Sequence, residues 1–502
     1  MRNCLELFER TANLFPQKQA VVEADNSLTF LELKNKAHQI AAAIDQRLIN
    51  QPIAIFLPKS AESVASFLGV LYSANFYVPL DVKSPIDRTK KIIHDLNPKI
   101  IITNSDFETR LVESSELAKY IILNIDNVGE RQFDYSMDKI EKLIDTDPIY
   151  CIFTSGSTGS PKGVLISHRS VLDYISWAIE TYEINEKSVI GNQAPFYFDN
   201  SILDIYLMFF TGARLVIIPH VNFSFPHRLI EYLNEKKVNF IFWVPSAMTN
   251  VLTFDIFKNV RSKYLNKILF AGEVMPIKTL NYWRSHLKNA LFSNLYGPTE
   301  ITVDCTFYIV DRDFTDRDSL PIGLPCRNTN IIVLNDENRC VTKDEVGELC
   351  VRGTSLALGY WNDFEKTNNA FIQNPLNKKY PELIYRTGDR VKYNDRGELM
   401  FLGREDFLIK HMGHRIELGE IEQITISLKG ISNACALYDH DNSKINLFYQ
   451  SDINISDSNV KQELTQLLPK YMIPSKIIKL GSLPLNRNGK VDREKLKRKH
   501  LD

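Results

Sequence analysis

The sequence predicts an α/β chain, and three changes of texture carry that prediction. From residue 28 to residue 270, stretches with helical apolar spacing alternate with short β-rich runs. A β-α-β-α rhythm of this kind implies parallel strands covered by helices. After about Gly323, short strands separated by turn signals dominate, and from about Ile409 the chain reads as a small α+β unit closing with a basic tail.

Taken in order, residues 28–48 carry apolar side chains at roughly helical spacing, and 52–57 form a short β-rich run. Residues 61–74 are again helical, 77–80 extended, 85–96 helical, and 100–103 a short, mostly apolar strand. An apolar run at 148–153 reads as a buried strand. The rhythm continues through 188–192, 202–210, 214–218, 230–236, 240–244 and 267–270. In the later region the strands are 330–334, 347–352, 390–393 and 398–403, with Asn394-Asp395-Arg396-Gly397 as a turn between the last two. The domain boundary is expected near 403–410, where a turn separates two strand-like runs.

With 502 residues, 44% hydrophobic and 24% charged, the composition is that of a globular protein. The length calls for about two to four structural units. A net charge of −1 gives no field favouring nucleic acid or an anionic membrane. No apolar stretch approaches the ~18 residues of a membrane span. The N-terminus does not read as a signal peptide, so no membrane insertion or export is expected. Seven scattered cysteines without a C-x-x-C pair suggest reduced thiols in a cytoplasmic protein and offer no metal-site spacing.

Residues 153–163, Phe-Thr-Ser-Gly-Ser-Thr-Gly-Ser-Pro-Lys-Gly, hold three glycines, five hydroxyls and one lysine directly after a strand. Glycines let backbone N–H groups converge on an anion, and hydroxyls and a lysine add donors and charge. The segment suits a nucleotide's phosphates and suggests ATP. It matches neither the G-x-x-x-x-G-K-[ST] loop nor the G-x-G-x-x-G turn. Read on composition alone, it could equally be a flexible Ser/Gly-rich surface loop.

Four further clusters accompany the loop. Tyr296-Gly297-Pro298-Thr299-Glu300 joins an aromatic face, a turn and a carboxylate suited to Mg²⁺. Tyr385-Arg386-Thr387-Gly388-Asp389 ends on an aspartate able to accept two ribose hydroxyls. Gly403-Arg404-Glu405-Asp406 lies at the proposed boundary, and Asn488-Gly489-Lys490 near the C-terminus. Taken alone, most such turns are merely turns, and most lysines after Asn-Gly are solvated.

In this order the five clusters resemble the adenylate-forming superfamily of acyl and aminoacyl activating enzymes. The chain is most similar to the adenylation domains of nonribosomal peptide synthetases and to stand-alone D-alanine–carrier protein ligases. The resemblance runs nearly end to end. It includes Phe76-Tyr77-Val78-Pro79-Leu80-Asp81, Asn192-Gln193-Ala194-Pro195-Phe196, Phe198-Asp199, Gly347-Glu348-Leu349, Gly413-His414-Arg415-Ile416-Glu417 and Leu468-Pro469-Lys470-Tyr471-Met472-Ile473-Pro474. It implies an α/β fold with a large N-terminal domain, residues 1–403, of two helix-covered, mainly parallel sheets plus a small distorted barrel. A hinge at 404–407, with Asp406 at its centre, would lead to a small mobile α+β domain at 408–502.

The resemblance also implies a two-step reaction: a carboxylate attacks the α-phosphorus of MgATP, and a thiol then attacks the resulting adenylate. Thr154, Ser155, Gly156, Thr158 and Lys162 would hold the β- and γ-phosphates. Thr299 would touch the α-phosphate and Glu300 would ligate Mg²⁺. Tyr296 would stack on adenine, and Asp389, assisted by Arg404, would bind the ribose. Lys490 would bridge the substrate carboxylate and the α-phosphate. The small domain would turn between the two steps, bringing the segment around Gly413 to the thiol path.

Amino-acid-activating members place an aspartate against the α-ammonium where Asp199 follows Phe198. The competing reading is a turn aspartate capping the next helix. The other implied pocket residues are Asn200, Leu203, Ser246, Leu269, Ala271, Leu295, Val303 and Asp304, mostly small or aliphatic. Residues 192–206 and the chain length resemble the D-alanine ligases, but Ala271 stands where those ligases have a cysteine and Asp304 where they have a small apolar residue. An unpaired buried carboxylate is unfavourable, so Asp304 should face solvent, bond locally or meet a polar or cationic group. The expected substrate is a small or polar amino acid, with D-alanine the leading candidate and serine or a basic amino acid still open. The expected acceptor is the phosphopantetheine thiol of a separate carrier protein, since residues 491–502 carry no such module, although the chain could equally be one domain of a larger synthetase. The alternatives are an acyl-CoA synthetase-type ligase and a non-catalytic nucleotide-binding homologue.

Overall fold

The computed structural model describes residues 3–45, 47–129, 137–155, 161–316, 318–343, 345–404, 408–440, 442–451, 453, 455–484 and 491–501. It divides into two compact units. The first comprises residues 1–80, 96–152 and 163–405, and the second 81–95, 153–162 and 406–502. The sequence reading kept 1–403 in one piece, whereas here 81–95 and 153–162 are grouped with the C-terminal part. The expected hinge residue Asp406 lies outside the described residues.

Two large sheets build the first unit. The nine-stranded sheet runs Leu324–Pro325, Thr306–Ile309, Leu291–Tyr296, Lys267–Phe270, Phe240–Trp243, Val189–Asn192, Arg214–Ile217, Gln19–Glu23 and Asn26–Thr29. From Leu291–Tyr296 to Gln19–Glu23 it is parallel, with antiparallel strands at both margins. The seven-stranded sheet runs Gly359–Tyr360, Lys162–Ser167, Pro148–Thr154, Phe76–Pro79, Pro52–Ile55, Ile100–Thr103 and Ile121–Asn124. Its central strands Pro52–Ile55, Phe76–Pro79 and Ile100–Thr103 are buried at every residue. That burial is why they read as continuous apolar runs rather than alternating ones. A third sheet, antiparallel and five-stranded, joins Thr329–Leu334, Gly347–Gly353, Leu383–Tyr393 and Phe371–Gln373, with Leu399–Arg404 on Leu383–Tyr393. It occupies the region where the small barrel was expected.

Local chemistry sets the element ends. The helix expected over 28–48 is Phe30–Ala43, because Thr29 and Glu32 form a capping box and Asn26–Thr29 pairs as a strand. Helix Asn200–Thr211 stops at Gly212, whose φ of 76° is left-handed. A Cβ there would lie 2.6 Å from the Phe15 ring, so glycine is also needed for the close approach.

The second unit has its own apolar core, including Ile416, Ile421, Leu447, Tyr449, Val460, Leu464 and Met472. Its three-stranded sheet orders Ile431–Asp439, Lys444–Ser451 and Lys476–Lys479. The hairpin Leu408–His411 with His414–Glu417 precedes helix Leu418–Ser427, and helix Ile86–Leu96 belongs mostly to the same unit. All seven cysteines are free, and only Cys340 is exposed. Among the described residues, no helix is long and apolar enough to cross a membrane, and no group of three or more His, Cys, Asp or Glu could hold a metal ion.

Candidate functional site

In the first unit, strand Leu291–Tyr296 ends on Tyr296, and strand Leu383–Tyr393 carries Asp389 opposite Arg404 of the neighbouring strand. The Tyr296 hydroxyl donates to one Asp389 carboxylate oxygen and Arg404 Nη1 donates to the other at 2.6 Å. Asp389 is also fixed through its backbone, whose N–H donates to Thr387 Oγ1 at 3.0 Å, while the Thr387 hydroxyl holds the Leu349 carbonyl at 2.7 Å. A carboxylate has about four acceptor positions. Two donors therefore leave capacity for a ribose diol. Burial, then the Asp389 charge, holds the Tyr296 phenol protonated well above its ordinary range.

Four residues beyond Tyr296, Glu300 sits in the short 3-10 turn Thr299–Ile301, fully buried. The Tyr360 hydroxyl donates to its Oε1 at 2.8 Å. Thr299 is buried beside it. Thr302 and Val303 follow in the left-handed region, with φ of 60° and 69°. A β-branched residue there is strained, and the Thr302 hydroxyl, donating to the Ser355 carbonyl at 2.8 Å, helps hold the turn. Gly297 completes it, since a Cβ at that position would lie 2.4 Å from the Val303 carbonyl oxygen.

Of the phosphate-loop candidates, Thr154, Ser155 and Lys162 are described, whereas Gly156 and Thr158 lie outside the described residues, as does Lys490. Thr154 Oγ1 is buried with no hydrogen-bond partner among the described residues. In the second unit, the Ser155 hydroxyl donates to the Arg415 carbonyl at 2.7 Å and accepts the Glu417 N–H at 3.0 Å. Lys162 opens strand Lys162–Ser167 and is half-buried.

Phe198 and Asp199 end a turn that is fixed from both sides. The Phe198 N–H bonds the Pro195 carbonyl at 3.0 Å, and the Ser201 hydroxyl bonds the Phe198 carbonyl at 2.8 Å. Asp199 is 4% exposed and immediately precedes helix Asn200–Thr211, yet its side chain makes no capping bond to that helix. The helix-cap alternative is therefore set aside. Asn200 is buried, and its Nδ2 has no partner among the described residues. Leu203, Leu269, Ala271, Leu295 and Val303 are buried, and Ser246, half-buried, donates its N–H to Glu273 at 2.8 Å. Asp304, 2% exposed, accepts the Tyr174 hydroxyl at 2.7 Å. Of the three options for Asp304, the structure has it meeting a polar side chain.

The sequence reading missed several of these contacts. Tyr360 and Tyr174 carry no local signal, because each acts on a residue remote in sequence. A second missed group supports the 192–199 segment. Asn192 Nδ2 donates to Asp204 at 2.8 Å and to the Ala194 carbonyl at 3.2 Å, and Lys59 Nζ reaches the Gln193 carbonyl at 3.1 Å. Burial pushes the Asp204 carboxyl up to about 8, against the lowering pull of Asn192 and Lys59.

A family model described as AMP-binding enzyme matches residues 8–361. Zwittermicin A synthase ZmaJ of Bacillus cereus is 32% identical over 99% of this chain and 95% of its own length. Larger curated relatives are only partly covered; the chain spans 44% of Tyrocidine synthase 1 of Brevibacillus parabrevis, at 31% identity over 98% of this chain. Among solved structures, NpsA-ThdA, an artificially fused adenylation-PCP di-domain from Klebsiella oxytoca, superposes with a TM-score of 0.82 at 22% identity, covering 96% of this chain and 94% of that one. At that identity the likeness speaks for the fold.

Proposed function

The chain belongs to the AMP-binding enzyme family, and we propose that it activates a small or polar amino acid as its aminoacyl-AMP and passes it to the phosphopantetheine thiol of a carrier protein. The observation that carries this reading is Asp199: a buried carboxylate behind an aromatic, at the head of a helix it does not cap. A cationic amino group is the partner that such a carboxylate would hold strongly.

In the first step the substrate carboxylate attacks the α-phosphorus of ATP and pyrophosphate leaves. The protein's share is placement and charge neutralisation along the line of displacement. Support for ATP comes from Asp389, with acceptor capacity left beside Tyr296 and Arg404, and from the Thr154 hydroxyl, which has no partner among the described residues. Glu300 would hold Mg²⁺ together with phosphate oxygens, an arrangement that needs only one or two carboxylates, and the ion would neutralise phosphate charge. Lys490 would bridge the substrate carboxylate and the α-phosphate.

The small buried side chains favour a compact substrate, and the unpartnered Asn200 Nδ2 favours a polar one. Because Asp304 already holds Tyr174, it no longer calls for a basic substrate. D-alanine is the first compound to test, followed by serine. The test is amino-acid-dependent pyrophosphate exchange with all common L- and D-amino acids. One or a few small amino acids should drive exchange, and Asp199→Ala should abolish it at low amino acid concentration. Exchange that ignores position 199, or that runs equally well with acids bearing no nitrogen, would overturn the reading.

A further inference from the structure

Two segments of the second unit come from the N-terminal half of the chain, 81–95 and 153–162, and each is tied to residues 414–420. At one tie, Ser155 donates to the Arg415 carbonyl and accepts from the Glu417 N–H. At the other, the buried Arg88 pairs with the fully buried Glu420. The Tyr471 ring stacks flat on His414, with centroids 3.6 Å apart and planes 2° off parallel. The ion pair thus anchors the first turn of helix Leu418–Ser427, which directly follows strand His414–Glu417, and Ser155 holds the strand itself.

A hydroxyl has one proton to donate. Ser155 gives it to the Arg415 carbonyl, so it cannot at the same time give it to a phosphate oxygen. Ser155 bound to phosphate and Ser155 bound to Arg415 are therefore alternative states. On the function proposed above, on which this inference rests, the second state falls after pyrophosphate has left.

We propose that Arg88, acting through Glu420, is a positioning residue that sets strand His414–Glu417 for thioester formation and is not used in adenylate formation. In that step the acceptor sulfur bonds the acyl carbon and the acyl–oxygen bond to AMP breaks. AMP leaves with the electron pair, and the thiol proton passes to solvent. A buried pair that has lost one member leaves an uncompensated charge, so this arrangement should be sharply depopulated when either partner is changed.

The test uses the full chain as wild type, Arg88→Ala, Arg88→Lys, Glu420→Gln and the reversed pair Arg88→Glu with Glu420→Arg. Pyrophosphate exchange reads adenylate formation, and thioester formation is read with free pantetheine as the acceptor. Exchange should stay within about twofold of wild type while thioester formation falls about tenfold or more in Arg88→Ala and Glu420→Gln. Arg88→Lys should lose less, and the reversed pair should recover part of the loss. Thermal melts identify any variant that has merely unfolded, and Arg88→Lys then carries the test. Equal losses in both assays, or unchanged thioester formation, would overturn the proposal. A wild type that exchanges with no amino acid would instead overturn the function on which it rests.

Discussion

Two buried carboxylates, Asp199 at the head of helix Asn200–Thr211 and Asp304 in the turn after strand Leu291–Tyr296, differ in what surrounds them. Asp304 accepts the Tyr174 hydroxyl at 2.7 Å, and burial followed by the Asp304 charge pushes that phenol far above its ordinary range. Asp199 follows a turn held by Pro195 and Ser201 and forgoes the capping bond its position offers. A buried charge needs a counterpart. At 304 the chain supplies a neutral donor, and 199 is the position proposed to meet the substrate's amino group. The contrast shows that two equally buried carboxylates can differ in their local bonding, which burial alone does not reveal.

The sharpest way to break this contrast is Asp199→Ala. Losing a hydrogen bond between charged groups should lower kcat/KM for the amino acid about a hundredfold, with the KM for ATP nearly unchanged. Exchange kinetics with each substrate varied in turn would show it, and a matching rise in the ATP KM would remove the distinction between the two carboxylates.

Next in size is Asp389→Asn, which disturbs a carboxylate held by both Tyr296 and Arg404. It should raise the ATP KM about tenfold and leave the amino acid KM alone. The two variants together would separate the nucleotide side from the amino-acid side, and overlapping profiles would merge them.

A smaller effect is expected at the tyrosine-bonded carboxylate. Asp304→Asn or Tyr174→Phe should cost about 1–3 kcal/mol of stability by leaving a buried polar group unmatched, and should keep the order of amino acid preference. Denaturant titration and a substrate panel would check both halves. A changed preference order would return Asp304 to the substrate.

A pH-dependent effect concerns Asp204, a third carboxylate on the same helix as Asn200. Its pKa, pushed up to about 8 mainly by burial, lies above the ordinary 3.8. The folded state therefore keeps a proton that the unfolded chain releases. The stabilisation is complete below about pH 4 and is lost as pH rises through about 8. Asp204→Asn should flatten the fall in stability across that window. Melts at a series of pH values would show the slope vanish, and an unchanged slope would place the titration elsewhere.

Much of the fold was legible because the central strands are buried on both faces and so read as unbroken apolar runs, as at Pro52–Ile55 and Ile100–Thr103. The helix expected over 28–48 starts at Phe30, because a capping box and an edge strand outweigh spacing at that end, and it stops at Ala43. Residues 153–163 announced themselves through composition, and Tyr296, Glu300 and Asp389 through their turn chemistry. Their partners did not. Tyr360 lies 60 residues from Glu300, Tyr174 lies 130 from Asp304, and Arg415 lies 260 from Ser155. Nothing local marks a tyrosine as the donor to a distant acid, because that pairing is made by the sheets and not by the segment.

The turn after Tyr296 limits how this protein could be re-tuned. Any side chain at position 297 would collide with the backbone of residues 303 and 304, and those two residues are themselves candidates for the substrate wall. A residue better suited to a left-handed φ at 303 would relieve strain, whereas any side chain at 297 adds it. Natural or laboratory drift toward new substrates should therefore pass through 303 first, with 297 as a fixed post around which the wall is rebuilt.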